Sequence, residues 1–256
     1  MEGLALASMG RHEEALAIFD ATIALGRELG RSVRVVLNYS SMAFRDLLDT
    51  AEARRRSEEA IDMPGPRSFN MPKMQSRVDL LFTDLIEGEI GRAQAAWPAL
   101  WDEARNGKAW HRWLVRGRLA AARAEIALRM EPPEDAAKWA HEAIEIARPV
   151  RRLKYETAAR AILGQALLGL KRGGEAVSEL RTAVDGADRL GGPPGRWQAR
   201  AALAHALHAT GDDDGAASVF RESAEIIRTF AATLSPEHAK PLLAASPVQD
   251  ILKAGA

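Results

Sequence analysis

Cysteine is absent from all 256 residues, and its absence excludes disulfides, thiolate zinc sites, iron–sulfur clusters and cysteine nucleophiles. An excess of either charge is also missing, because Lys plus Arg and Asp plus Glu both count 35. A neutral chain has no whole-molecule field to draw nucleic acid or an anionic membrane, and neither is expected as a partner. The longest nearly apolar run, Ala158–Leu170, is broken by Arg160 and Gln165 and is too short to span a bilayer. Between Met1 and Gly30, residues Glu2, Arg11, His12, Glu13 and Glu14 stand where a secretory segment needs an unbroken apolar stretch. The expected location is therefore cytoplasmic.

Signatures of catalysis are missing as well. The chain has no Gly-x4-Gly-Lys-Ser/Thr phosphate loop, no Gly-x-Gly-x-x-Gly after a strand and no Gly-x-Ser-x-Gly elbow. The acidic run Asp212–Gly215 lacks the closing Glu of a calcium loop, since Ser223 stands there. It reads instead as a turn followed by negative charge at a helix N-terminus. No catalytic residue, resident metal or cofactor is expected.

What the sequence does contain is a repeat. Gly10–Ala15, Gly88–Ala93, Gly173–Ala176 and Gly211–Ala217 each place a turn glycine before a polar stretch and then an alanine opening a helical pattern. With Ala53 and Ala136 added, the anchors 15, 53, 93, 136, 176 and 217 are separated by 38, 40, 43, 40 and 41 residues. Leu163, Gly164 and Leu167 ahead of Ala176, with Leu180 and Ala183 behind it, lie on one stripe of each of two helices. The set recurs as Gly3, Leu6, Gly10, Phe19 and Thr22 around Ala15, and as Leu37, Ser41, Phe44 and Ala60 around Ala53. Around Ala217 it reads Leu203, Ala204, Leu207 and Ala224, with Arg221 in the bulky position and Phe220 beside it. Such a pair cannot bury its own stripe and must stack on neighbours.

This alternation of small and large residues resembles the tetratricopeptide repeat (TPR) family, from about Gly3 to Leu234. The period exceeds the usual ~34 residues. It is similar to the longer repeats in the C-terminal regions of bacterial signal-transduction ATPases, maltose-regulator-type activators and cyclases. The resemblance implies an all-α, right-handed α-α superhelix (a TPR-like solenoid) of about six helix pairs, the first incomplete. Units are expected at about 1–30, 31–63, 72–106, 109–149, 151–191 and 195–234, followed by a C-terminal capping segment over 235–256. Two stretches depart from the pattern. Arg123 falls where a small residue belongs if Leu119, Ala122 and Ile126 form the stripe, and Glu131-Pro132-Pro133 reads as an insertion. Pro64–Pro72, with three prolines, reads as an ordered loop or a bend.

The first unit supplies only the second half of its opening helix. The chain is therefore expected to be the C-terminal piece of a larger protein, with dimerisation through an open end as the alternative.

By the same resemblance, residues just after each small position line a concave groove. These are Asn38, Met42 and Arg45 around Ser41, then Asp79 and Thr83, then Gln165, Gln198, His205 and His208. The set is mixed polar, without a row of lysines and arginines to clamp a carboxylate. His205 and His208 are three apart, a spacing that can serve a metal, but they lack the Glu and second-turn spacing of a zinc-protease helix. Trp97, Trp101, Trp110 and Trp113 read either as a pocket wall or as core between units. Arg116, Arg118, Arg123 and Arg129 read as a solvated basic face.

The expected function is a non-catalytic interaction scaffold holding a protein or peptide in the groove, serving a signalling or transcription-regulating effector domain upstream. The alternative is a small-molecule sensor with a closed apolar pocket near the tryptophans.

Overall fold

The computed structural model describes residues 2–64, 71–106 and 112–256, and every regular element in them is an α-helix. The described chain falls into two compact units, Met1–Leu119 and Ala120–Ala256. None of its helices is long and apolar enough to cross a membrane.

The first unit contains α1 (Glu2–Ser8), α2 (His12–Glu28), α3 (Arg34–Asp46), α4 (Thr50–Asp62), α5 (Met71–Glu87), α6 (Ile90–Asn106) and the start of α7 (Arg112–Met130). Consecutive helices pack as pairs, α1 on α2, α3 on α4 and α5 on α6. Gly3 explains the first pairing, since a Cβ there would fall 2.6 Å from the Phe19 ring. Ser41 occupies the matching place in the next pair, where its hydroxyl meets Ser57 Oγ at 2.6 Å and donates to Ala53 O at 2.9 Å. Twelve residues separate each small position from its anchor alanine (Gly3 from Ala15, Ser41 from Ala53). In the third pair the same offset from Ala93 lands on Leu81, which is fully buried and leaves no small residue at that contact. Arg34 ties α3 to the end of α4, giving Nε to Ala60 O at 2.7 Å and Nη2 to the carbonyls of Met63 and Pro64. These carbonyls lie in the last turn of α4 and just beyond it, where no partner within the helix is available.

The second unit holds the rest of α7, then α8 (Pro133–Ala147), α9 (Leu153–Gly169), α10 (Gly173–Leu190), α11 (Pro193–Ala209), α12 (Asp213–Ala232), α13 (Pro236–Ala244) and α14 (Ser246–Ala254). Gly164 sits directly under Leu180, and Gly186 under Thr157, so α9 and α10 approach closely at both places. Three expectations are corrected here. Ala216, not Ala217, is the buried anchor of α12, so Phe220 takes the bulky position and Arg221 points to solvent. The small residue of α7 is Ala124, twelve before Ala136 and fully buried, and not the Arg123 position. The left-handed turn residue between α9 and α10 is Lys171, with φ 61°, while Gly173 is already helical and lies under Thr210.

Pro132 and Pro133 form a tight α7–α8 turn with Pro133 at the first helical position, where its missing N–H costs nothing. At the other end of the unit, Val248 and Ile251 of α14 are buried, and a Cβ on Gly255 would meet Phe220 O and Ala224 Cβ at 2.7 Å. The expected loop over Pro64–Pro72 lies, from residue 65 to 70, outside the described residues.

Candidate functional site

Helical geometry puts Val35, Asn38, Met42 and Arg45 on one stripe of α3, and Gln75, Asp79, Phe82 and Ile86 on one stripe of α5. The side chains join these stripes. Asn38 Nδ2 donates to Asp79 Oδ2 and approaches Ser76 Oγ at 3.4 Å. Arg45 Nη1 donates to Asp79 Oδ1 at 2.6 Å. Arg118, on α7, donates from Nη2 to the same oxygen. Both guanidiniums lie 5.4 Å from the centroid of the Phe82 ring. Because Asn38 meets residues 76–79 and Arg45 meets 79–82, α3 and α5 run in the same direction.

Asp79 has no exposed surface at all, so its charge must be paired. Two arginines and an amide achieve this, in a layer that apolar side chains fill elsewhere. Thr83 is equally buried, and its hydroxyl donates back to Asp79 O at 3.0 Å within α5. Met42 is half-buried, and Val35 and Ile86 are each 43% exposed. The result is a braced polar centre with apolar side chains toward either end.

The remaining expected residues do not join this cluster. In the second unit, Gln165 and Gln198 are exposed, with Gln165 Nε2 donating to Ala161 O at 3.3 Å. His205 meets the edge of Phe220 at 5.0 Å, whereas His208 Nδ1 pairs with Asp213 Oδ1 at 2.7 Å. The two imidazoles thus take separate partners, and the described residues hold no group of three metal-ligating side chains.

Trp97 stacks on Trp101 with centroids 5.2 Å apart and donates Nε1 to Leu119 O at 2.7 Å, tying α6 to α7. Trp110 lies outside the described residues, as does the side chain of Trp113.

The four arginines of α7 do not form a solvated basic face. Arg116 covers Trp101 at 5.6 Å, and Arg118 is buried on Asp79. Arg123 pairs with Glu131 at 2.8 Å over Trp139, and Arg129 pairs with Glu125 at 3.1 Å. Burial pushes the Glu125 carboxyl above its ordinary range, with Arg129 only partly opposing. Arg118, read from the sequence as part of a solvated face, and Phe82, read as part of a core stripe, both belong to the Asp79 centre, whereas Glu125 was not singled out. Fixing α7 on Ala124 reveals Glu125 directly, as the residue that follows the small position.

No protein-family model and no curated protein matches the chain. Solved structures do match. A Rap protein complexed with Competence and Sporulation Factor aligns with a TM-score of 0.66 at 14% identity, over 99% of this chain and 73% of that one. BtubC (BKLC) from P. vanneervenii aligns with a TM-score of 0.50 at 12% identity, over 85% and 90%. A putative kinesin light chain from Podosopora anserina with TPR-like repeats aligns at 0.47 and 18%, over 77% and 97%. The alignments with the Rap protein and BtubC, together with the all-helical described residues, make the fold an all-α, TPR-like helical repeat.

Proposed function

We propose that this chain is a non-catalytic scaffold that holds an extended segment of a partner protein along the α3/α5 stripe. The observation supporting this reading is the Asp79 centre. A buried carboxylate fixed by side chains from α3 and α7 holds Arg45 against Phe82, and pre-set contacts reduce the ordering cost of binding. Val35 and Ile86 add apolar surface beyond it. A similar fold holds Competence and Sporulation Factor in the Rap complex. The reading extends to Gln165, Gln198, His205 and His208, proposed as a second partner-facing row on α9 and α11. It also includes service to an upstream effector domain in a bacterial signalling or transcription-regulating protein, in the cytoplasm; the reading frame preceding the Met1 codon tests that part.

The test of the stripe is site-specific photocrosslinking. A benzophenone side chain in place of Met42 captures a partner that the same group in place of Leu25 does not. Equal capture at Met42 and at Leu25, on α2 and off the stripe, contradicts the reading.

A further inference from the structure

The Asp79 carboxylate draws donors to both of its oxygens. Oδ1 accepts from both Arg45 and Arg118, while Oδ2 is taken by Asn38, so one carboxylate serves two guanidiniums. Among the described residues Arg45 gives a single hydrogen bond, from Nη1, although a guanidinium carries five N–H donors in a rigid fork. Its side chain keeps 15% of its surface in solvent, whereas that of Asp79 has none. An incoming group therefore meets the cation and not the carboxylate that balances it.

We infer that the Arg45 end of the stripe receives a carboxylate of the docked partner, which makes that partner acidic at this point. Apolar side chains on either side of the acid reach Val35, Met42 and Ile86. The inference rests on the docking reading above and adds its chemistry. Asp79 is a positioning residue in this arrangement. It holds Arg45 through Nη1 and against Phe82, so the fork is oriented before the ligand arrives. A lysine at the same point would face a guanidinium across a partly dry surface, and basic segments are rejected.

The experiment uses the full chain and a phage-displayed library of random twelve-residue peptides, followed by fluorescence anisotropy on resynthesised peptides with blocked ends. Selected peptides are expected to share an acidic residue, and its change to Gln should weaken binding about tenfold, as loss of a charge-assisted hydrogen bond does. Arg45→Met abolishes the Glu-over-Gln preference and Arg45→Lys retains part of it. The preference is a ratio within one variant, so it does not depend on the fraction folded. A free terminal carboxyl that can replace the internal acid assigns the contact to a chain end, and failure to replace it assigns the contact to a side chain.

Selected peptides weakened by Met42→Asp but indifferent to the acid, or a preference unchanged in Arg45→Met, overturn the inference and leave the docking reading standing. Indifference of every selected peptide to Met42→Asp removes the docking reading itself.

Discussion

Asp79 Oδ1 lies 2.6 Å from Arg45 Nη1, an ion pair whose acid has no exposed surface and whose base keeps 15% of its side-chain surface in solvent. Removing the acid takes a buried ion-pair partner from both Arg45 and Arg118. Asp79→Ala should therefore cost about 3–5 kcal/mol in urea unfolding, well above the effect of an ordinary surface substitution. A loss below about 1 kcal/mol would mean that the centre does not brace these helices.

The helix pairs make a separate prediction. Gly164 has no room for a side chain, because Leu180 occupies that space, whereas Gly174 in the first turn of α10 faces open space. Gly164→Val should destabilise by about 3 kcal/mol through overpacking. Gly174→Ala should be neutral or stabilise by up to about 1 kcal/mol, by restricting the unfolded chain. Calorimetric melts of the two variants are the check, and equal Tm values would contradict the stacking account.

Backbone conformation at the turns is equally open to test. Lys171 holds φ 61° where Gly10, Gly88 and Gly211 hold 84°, 80° and 86° at matching turns. A left-handed residue with a Cβ costs about 1 kcal/mol. Lys171→Gly should recover about that amount, and Gly211→Ala should lose it, in denaturant titrations.

Much of this was legible in the sequence for a physical reason: close approach of two helices demands a small residue, and Gly3, Ser41, Gly164 and Ala204 recur at one offset from buried alanines. The register failed where that signal was degenerate. In Ala120–Ala124 four alanines surround Arg123, and periodicity alone does not choose among them. In Ala216-Ala217 two adjacent alanines compete for one place. The candidate site was legible only as separate residues. Asn38, Arg45 and Asp79 were each picked out, but their convergence depends on how α3 lies against α5. Arg118 joins from a helix whose register was ambiguous.

Glu125 supplies a dependence on pH. Its carboxyl is raised by burial, so the folded chain binds its proton more tightly than the unfolded chain does. The penalty is absent below the ordinary carboxylate range, grows as pH rises through that range, and is complete above the raised value. Glu125→Gln should therefore stabilise at pH 7 and make no difference near pH 3. A variant less stable than the parent at pH 7 would show that the Arg129 pair outweighs the burial.

Asp188 has the opposite sign. Its carboxyl is lowered first by hydrogen bonding to Arg200, with Arg196 adding to the effect. The stability it contributes is present above the ordinary carboxylate range and is lost on acidification through the lowered value. With a half-exposed acid, Asp188→Asn should cost about 1 kcal/mol at pH 7 and progressively less as the pH falls below the ordinary carboxylate range.

The most direct measurement of partner docking on the stripe is methyl NMR of the chain with its 7 methionines labelled, titrated with a library-selected peptide. The account predicts that the half-buried Met42 methyl shifts and saturates, while the exposed Met9 and Met130 methyls stay fixed. A bound peptide that moves Met9 or Met130 and leaves Met42 unchanged would contradict it.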